Sequence, residues 1–207
     1  PGAYSGTTHL VLPMKVSVVT VTFNAAATVE MAVKSVLSQQ GDFSLDYHVV
    51  DGGSTDGTLD ILQAHKEHIS EISSGPDGGL YDAMNRGVAR AKGDIIGILN
   101  ADDAYADPQV IADVLKTFKK TGADGVYADL DYVDEATATE VTRQWKSGVP
   151  GDFRKGWMPP HPTLFVKRSL YEQHGLFNLQ LRSAADYELM LRFFHFRGAK
   201  LDYLPRT

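Results

Sequence analysis

The chain contains no cysteine. Disulfides and Cys-ligated zinc are therefore excluded, and a reducing compartment fits. Dense basic runs are also missing. Lys119-Lys120 and Arg154-Lys155 are short pairs in a chain of formal net charge −6. An acidic chain without a basic stripe argues against a general nucleic-acid binder, and no nucleic-acid partner is expected. No apolar run approaches the roughly 20 residues needed to span a bilayer. The familiar phosphate motifs are absent too. No G-x-G-x-x-G follows the first strand-like run, which disfavours a dinucleotide site, and no G-x-x-x-x-G-K-[ST] occurs, which excludes a P-loop. "DGGSTDGTLDIL", starting at Asp51, superficially suggests a calcium loop. Gly53, Thr55 and Asp56 at its third, fifth and sixth positions, and Leu62 at its twelfth, break that pattern. H-E-x-x-H is missing, and the seven histidines show no metal-ligand spacing. His65 and His68 read as a solvated helix face.

What is present is enough for a substantial core: 207 residues, 43% of them hydrophobic, within the range of one domain. "PGAYSGTTHLVLP", residues 1–13, lacks the long apolar core of a signal peptide and reads as an extension outside the fold. A strong strand pattern opens at Met14. "KVSVVTVTF" (15–23) is β-branched and nearly continuous, as in a strand covered on both faces. Thr28 then precedes a helical stripe of Val29, Ala32, Val33, Val36 and Leu37. "YHVVD" (47–51) predicts a second strand, followed by a helix over 59–68 and a short strand over 69–73. After "GPDGG" a helix over 80–92 carries Leu80, Met84, Val88 and Ala91, and "DIIGIL" (94–99) is the next strand. Asp107-Pro108 reads as an N-cap with proline at the first helical position. The helix that follows shows Ile111, Val114, Leu115 and Phe118 and stops at Gly122.

Strands alternating with helices predict an α/β fold with a mostly parallel central sheet flanked by helices. The second half reads as mixed. Strands are predicted in "GVYADLDYV" (125–133), "EVTRQW" (140–145) and "PTLFVKRS" (162–169), with a turn over 134–139 and a short helix over 168–174. "AADYELMLRFFHFRG" (184–198) reads as a helix with Gly198 as its stop. The chain ends just after a strand-like run, which leaves a continuation past Thr207 open.

In open α/β sheets, ligands bind beyond the carboxyl ends of the strands. Three polar clusters fall there: Phe23-Asn24, Asp51 to Thr58, and Asn100 to Asp103. Each alone reads as a polar turn, but together they mark one edge. Asp102 and Asp103 are adjacent like charges. In a partly buried cleft one of them would tend to protonate, unless a divalent cation removed the conflict. Oxygen-only ligands favour Mn2+ or Mg2+ shared with substrate phosphates. Solvation of a turn, or capping of the helix after Pro108, is the competing reading of the pair. Spacing alone makes Asp186 structural, because Ser183-x-x-Asp186 approximates a capping box and the helix dipole favours an acid in the first turn. His161, in the stiff loop "WMPPHPTLF", reads as incidental. Trp157 serves core packing or a sugar face equally well, and Tyr81 reads as the outer face of its helix.

Five segments occur in a telling order: "VSVVTVTFNAAATVEMAVKSVLSQ", "VVDGGSTDGTLDIL", "GPDGGLYDAMNRGVARAKGDIIGILNADD", "HPTLFVKRSLYEQHGLFN" and "SAADYELMLR". The set resembles family 2 glycosyltransferases of the GT-A fold from about Met14 to Arg192. The nearest look is to bacterial enzymes of O-antigen and exopolysaccharide assembly.

The resemblance implies inverting transfer of a sugar from a nucleoside diphosphate donor, UDP ahead of GDP or dTDP, to a hydroxyl of a saccharide or lipid-linked acceptor. It implies one domain over 14–207, with 14–104 as nucleotide half and 105–207 as acceptor half. It places Phe23, Asn24, Asp51, Asp77, Asn85, Arg86, Asn100 and Asp102 at the donor, and Asp103 with Asp102 on the Mn2+ or Mg2+ ion. Asp186 matches the general base and His161 the acceptor side. A cytoplasmic location, peripheral at the inner membrane face, follows from such an acceptor; nothing points to an oligomeric state.

Two departures stand out. Asn100 replaces the first acid of the family's Asp-x-Asp signature, and Ala185 replaces the Glu before the base. They support an alternative, a non-catalytic nucleotide- or carbohydrate-binding module that keeps the fold. A nucleotidyltransferase would need a Gly-rich basic loop after the first strand, which "TFNAAAT" lacks.

Overall fold

The computed structural model describes residues 13–134, 137 and 139–207. The expected extension, residues 1–13, lies outside the described residues except for Pro13. Residues 135, 136 and 138 of the expected turn also lie outside them.

The β-branched run forms β1 (Met14–Thr22), the centre of a parallel group. β2 (Phe43–Asp51) lies on one side of it and β4 (Ile95–Asn100) on the other, with β3 (Glu71–Ser74) beyond β2. β8 (Phe165–Lys167) runs antiparallel between β4 and β5 (Gly125–Tyr127), and β9 (Leu201–Tyr203) closes the far side parallel to β5. The full order is β3-β2-β1-β4-β8-β5-β9. Strands from both sides of the 104/105 boundary thus share one sheet. A separate hairpin pairs β6 (Leu130–Val133) with β7 (Val141–Trp145).

β1 shows why the run is continuous rather than alternating. Val16 and Val18 pack on one face against α1 (Val29–Leu37) and α4 (Val110–Thr121). Val19 and Val21 pack on the other against α3 (Leu80–Arg90) and the helical C-terminal segment. All four are buried, each worth about 1.5–3 kcal/mol of transfer free energy. α3 lies unusually close to the sheet, because Gly87 faces Val19. A β-carbon at Gly87 would stand 2.2 Å from Val19 Cγ1. On the other face, Ile111, Val114, Leu115 and Phe118 of α4 are buried as their spacing predicts, and Gly122 ends the helix at φ 67°.

Several boundaries differ from the sequence reading. β2 begins four residues earlier than 47, because Asp46 is accommodated inside the strand. α2 (Thr58–Ala64) stops short and passes into a 3-10 turn over Lys66–His68. α4 starts at Val110, not at Pro108. Asp107 instead accepts a bond from the Gln109 N–H at 2.7 Å, in the turn before the helix. Residues 125–133 are not one strand, since Ala128 and Asp129 break it between the main sheet and the hairpin. Residues 161–163 form a 3-10 turn before β8, and α5 (Arg168–His174) follows it. The C-terminal helix is α6 (Ala185–Met190), which widens into a π-helical segment over Leu191–Phe196.

The early halves of β1 and β2 carry a buried polar network centred on Asp46. Ser17 and Asp46 are register partners, and the Ser17 hydroxyl donates to Asp46 Oδ2 at 2.6 Å. The Lys92 N–H donates to the same oxygen at 2.8 Å, and the Gly93 N–H donates to Ser17 Oγ at 2.8 Å. His48 Nε2 lies 3.1 Å from Asp46, and Lys15 Nζ lies 3.5 Å from it. Burial pushes the Asp46 carboxyl up, but the bonds from Ser17, Lys92 and His48 outweigh it and hold the pKa at about 2.

Candidate active site

The register brings the late ends of four strands into line. Thr22 pairs with Asp51, Asp51 with Ser74, and Val21 with Asn100. The predicted polar clusters therefore share one edge of the sheet.

Asp51 is buried and turned toward its own loop. Its Oδ2 accepts from the N–H groups of Gly53 and Ser54, both at 3.0 Å, and from the Ser74 hydroxyl at 2.6 Å. Its Oδ1 accepts from the Ser54 hydroxyl. Burial raises this carboxyl, yet the Ser54 and Ser74 hydroxyls and the two N–H groups hold it below the ordinary carboxylate value. Asn24 adopts a left-handed φ of 49° and stitches the same loop. Its N–H donates to Ser54 Oγ at 2.7 Å, and its Oδ1 accepts from the Thr55 N–H at 2.9 Å. Phe23 beside it is 64% exposed, an aromatic face open to a flat ligand. A β-carbon on Gly52 would meet Asp77 Oδ2 at 3.0 Å and Phe23 Cδ2 at 3.3 Å, so Phe23, Gly52 and Asp77 form one rim.

Asn85 and Arg86 are engaged elsewhere. Asn85 donates to the Phe177 carbonyl at 2.9 Å and accepts from the Phe177 N–H at 2.8 Å, which occupies both ends of its amide. Arg86 pairs with Asp82 at 2.8 Å and donates to the Pro76 carbonyl at 3.1 Å. In this structure Asn85 ties α3 to Phe177, and Arg86 ties α3 to Pro76 in the loop before it.

At the Asn100 end of β4 lies a cavity of about 920 Å3, whose lining does not include Phe23, Asn24, Asp51, Asp77 or Asp186. Asn100, Asp102, Asp103 and His161 all line it, together with Tyr132 and Trp145 of the hairpin. Asn100 Nδ2 donates to Asp103 Oδ2 at 3.0 Å. Burial, then the neighbouring Asp102 charge, pushes the Asp103 carboxyl up to about 6. Asn100 Oδ1 is buried without a partner. A strained carboxylate pair beside an unmatched oxygen fits a hard divalent cation in an all-oxygen site. Among the described residues no group of three or more His, Asp or Glu could hold a metal, so further ligands would come from substrate or water.

Asp186 sits in the first turn of α6. The capping box expected from Ser183 does not form. The cap residue is Ala184, at φ 61°, with no side-chain cap bond. The Tyr81 hydroxyl instead donates to Asp186 Oδ1 at 3.0 Å. His161 is near enough to feel the Asp186 charge. Burial lowers its imidazole below the ordinary histidine value, and the carboxylate opposes that shift. His161 lines the cavity with Asp102 and Asp103, whereas Asp186 does not; the ring of Phe177 touches both His161 and Tyr81, the partner of Asp186.

Sequence reasoning missed Tyr81, which it placed on an outer helix face, and Phe177, whose ring stacks on Tyr81 at 5.7 Å. It also missed Asp129, a buried carboxylate lining the cavity that accepts from the Ser147 N–H at 2.8 Å and the Tyr203 hydroxyl at 2.9 Å. Its only signal was its place at the break between two strands. Trp157 packs edge-on against Phe153 and Tyr127, which favours the core reading over a sugar platform.

Comparison with known proteins identifies the architecture. The family model "Glycosyl transferase family 2" matches residues 17–197. A PGL/p-HBAD biosynthesis glycosyltransferase of Mycobacterium bovis is 33% identical over 186 residues, covering 86% of this chain and 69% of the relative. Residues 1–349 of Staphylococcus aureus TarS in complex with UDP-GlcNAc superpose with a TM-score of 0.72 at 20% identity, over 94% of this chain and 59% of that one. A mannosyltransferase of Pyrobaculum calidifontis in complex with GDP-Man and Mn2+ gives 0.71 at 21% identity, over 93% and 55%. The sheet with its flanking helices is the GT-A transferase fold, and this chain belongs to glycosyl transferase family 2.

Proposed function

We propose that this chain transfers a sugar from a nucleoside diphosphate sugar, UDP-linked in the first instance, to a hydroxyl of a saccharide or lipid-linked acceptor, with inversion at the anomeric carbon. The observation that carries the reading is the contact chain from Asp186 through the Tyr81 hydroxyl and the Phe177 ring to His161, which lines the cavity with Asp102 and Asp103. Asp186 takes the acceptor proton. The acceptor oxygen bonds to the anomeric carbon, and the bond to the diphosphate breaks with its electron pair leaving on the nucleotide.

Asp103 and Asp102, with Asn100 Oδ1 beside them, would hold a Mn2+ or Mg2+ ion, whose contribution is charge opposite the leaving diphosphate. The nucleotide-sugar complexes of the two solved neighbours, one with Mn2+, support a donor of this class. Phe23 offers a stacking face to the base, and the Asp51 loop and Asp77 shape the donor rim. Residues 14–104 serve the nucleotide and 105–207 the acceptor, within one domain over 14–207. Among the described residues no helix is long and apolar enough to cross a membrane. Work on a lipid-linked acceptor would place the chain at the cytoplasmic membrane face, in cell-surface polysaccharide or glycolipid assembly.

The test pairs calorimetry with a transfer assay. UDP binding is expected only with Mn2+ or Mg2+ present. Asp186→Asn should keep that binding and lose transfer by about a thousandfold. Metal-independent or absent binding of every nucleoside diphosphate would overturn the donor reading. Binding without transfer to any of a panel of acceptors would favour the non-catalytic module.

A further inference from the structure

We propose that Tyr81 is a positioning residue for Asp186, fixing one carboxylate oxygen so that the other faces the acceptor hydroxyl. The proposal rests on the reading of Asp186 as the base. Among the described residues, the Tyr81 hydroxyl makes the one hydrogen bond that reaches the Asp186 carboxylate, at Oδ1. The backbone does not hold Asp186 by a cap, since Ala184 stands left-handed at the start of α6 without a side-chain bond. A carboxylate on such a start turns about its own side-chain torsions unless a donor stops it. Tyr81 supplies that donor from a sequence distance of 105 residues.

Tyr81 is itself held. Its ring stacks on Phe177 at 5.7 Å with an interplanar angle of 21°. Phe177 is clamped through both its N–H and its carbonyl by Asn85, one helical turn beyond Tyr81 on α3. His161 also packs on Phe177, its ring edge-on at 5.9 Å. α3 thus reaches the base region twice, directly through Tyr81 and indirectly through Asn85 and Phe177. Helix α3 also begins right after Asp77 and Gly79, where the Gly79 N–H donates to Asp77 Oδ1 at 2.8 Å. The donor rim and the orientation of Asp186 are therefore built on one rigid segment.

The chemistry agrees with the geometry. Tyr81 and His161 both interact with Asp186 from neighbouring elements. Burial, then the Asp186 charge, raises the Tyr81 phenol, so it stays protonated and remains a donor. Burial keeps His161 neutral at pH 7, so it does not draw the carboxylate into an ion pair. With Oδ1 committed, Oδ2 keeps its acceptor capacity for substrate.

Tyr81→Phe tests this, because it removes the hydroxyl and keeps the ring on Phe177. The expected result is a kcat lowered by about ten- to a hundredfold, the range for a misaligned catalytic group. The donor KM and Mn2+-dependent UDP affinity should stay within about twofold, since the hydroxyl touches neither. A merely structural role would lower the melting temperature and leave kcat per folded molecule unchanged, whereas positioning lowers kcat with the donor KM held. Normal kcat in Tyr81→Phe, while Asp186→Asn is inactive, would overturn the positioning role and leave the base intact. Transfer retained by Asp186→Asn would instead remove the base assignment on which the proposal stands.

Discussion

Asp46 and Asp103 are carboxylates placed beside opposite ends of the same parallel strands, and the protein treats them in opposite ways. Asp46 receives donors from Ser17 and Lys92 and stands beside His48 and Lys15, so its charge is welcome and its pKa falls to about 2. Asp103 receives one amide bond and faces Asp102, so its charge is resisted and its pKa rises to about 6. At the early end the Ser17 hydroxyl both donates and accepts, although both ring nitrogens of His48 are buried without a hydrogen bond. At the late end Thr22 Oγ1 and Asn100 Oδ1 are buried without partners. The difference between the two ends therefore lies in the carboxylates: the fold supplies several donors to Asp46 and few to Asp103.

Three changes would break or sharpen that contrast. The largest effect is expected from Asp46→Ala, which strands the Lys92 N–H and the Ser17 hydroxyl. Chemical denaturation should show a loss of about 3 kcal/mol, while transfer per folded molecule is unchanged.

Asp103→Asn should do the reverse. Mn2+-dependent UDP binding should weaken by about a hundredfold in calorimetry. The melting temperature of the ligand-free protein at pH 7 should rise, because the fold disfavours the charge that the substitution removes.

The smallest effect is in pH. Asp46 has a folded pKa of about 2, below its ordinary 3.8, so the folded state favours its ionised form. The stability it contributes, on the order of 2 kcal/mol, is present above pH 3.8 and is lost as pH falls through 2. Urea titrations at pH 5 and pH 2 should show that loss in the wild type, and a smaller one in Asp46→Asn.

Much of the fold was legible because the parallel core has a strong local signature. β1, the stripe on α1 and the four apolar positions of α4 follow from side-chain period alone. Asp46 hid the first half of β2, because a buried acid is tolerable only with donors from Ser17 and Lys92, which lie far off in sequence. β8 was legible as a strand, but its antiparallel place between β4 and β5 is a matter of topology that no local pattern carries.

The site divides in the same way. Asn100, Asp102 and Asp103 lie at the end of a recognisable strand, and they do line the cavity. Asn24, Asn85 and Arg86 were assigned to the donor; Asn24 binds the Ser54–Thr55 loop, Asn85 binds Phe177, and Arg86 binds Asp82 and Pro76, contacts visible only once the partners are placed. Tyr81 meets Asp186 only through tertiary packing, so its helix face gave no hint.

The β6–β7 hairpin makes no strand ladder with the seven-stranded sheet among the described residues, yet Tyr132 and Trp145 help wall the cavity. Mutations there can reshape what the enzyme recognises without disturbing the register that aligns Thr22, Asp51 and Asn100. Relatives of this chain could therefore diverge in taste by rewriting two short strands while inheriting the rest of the machine intact.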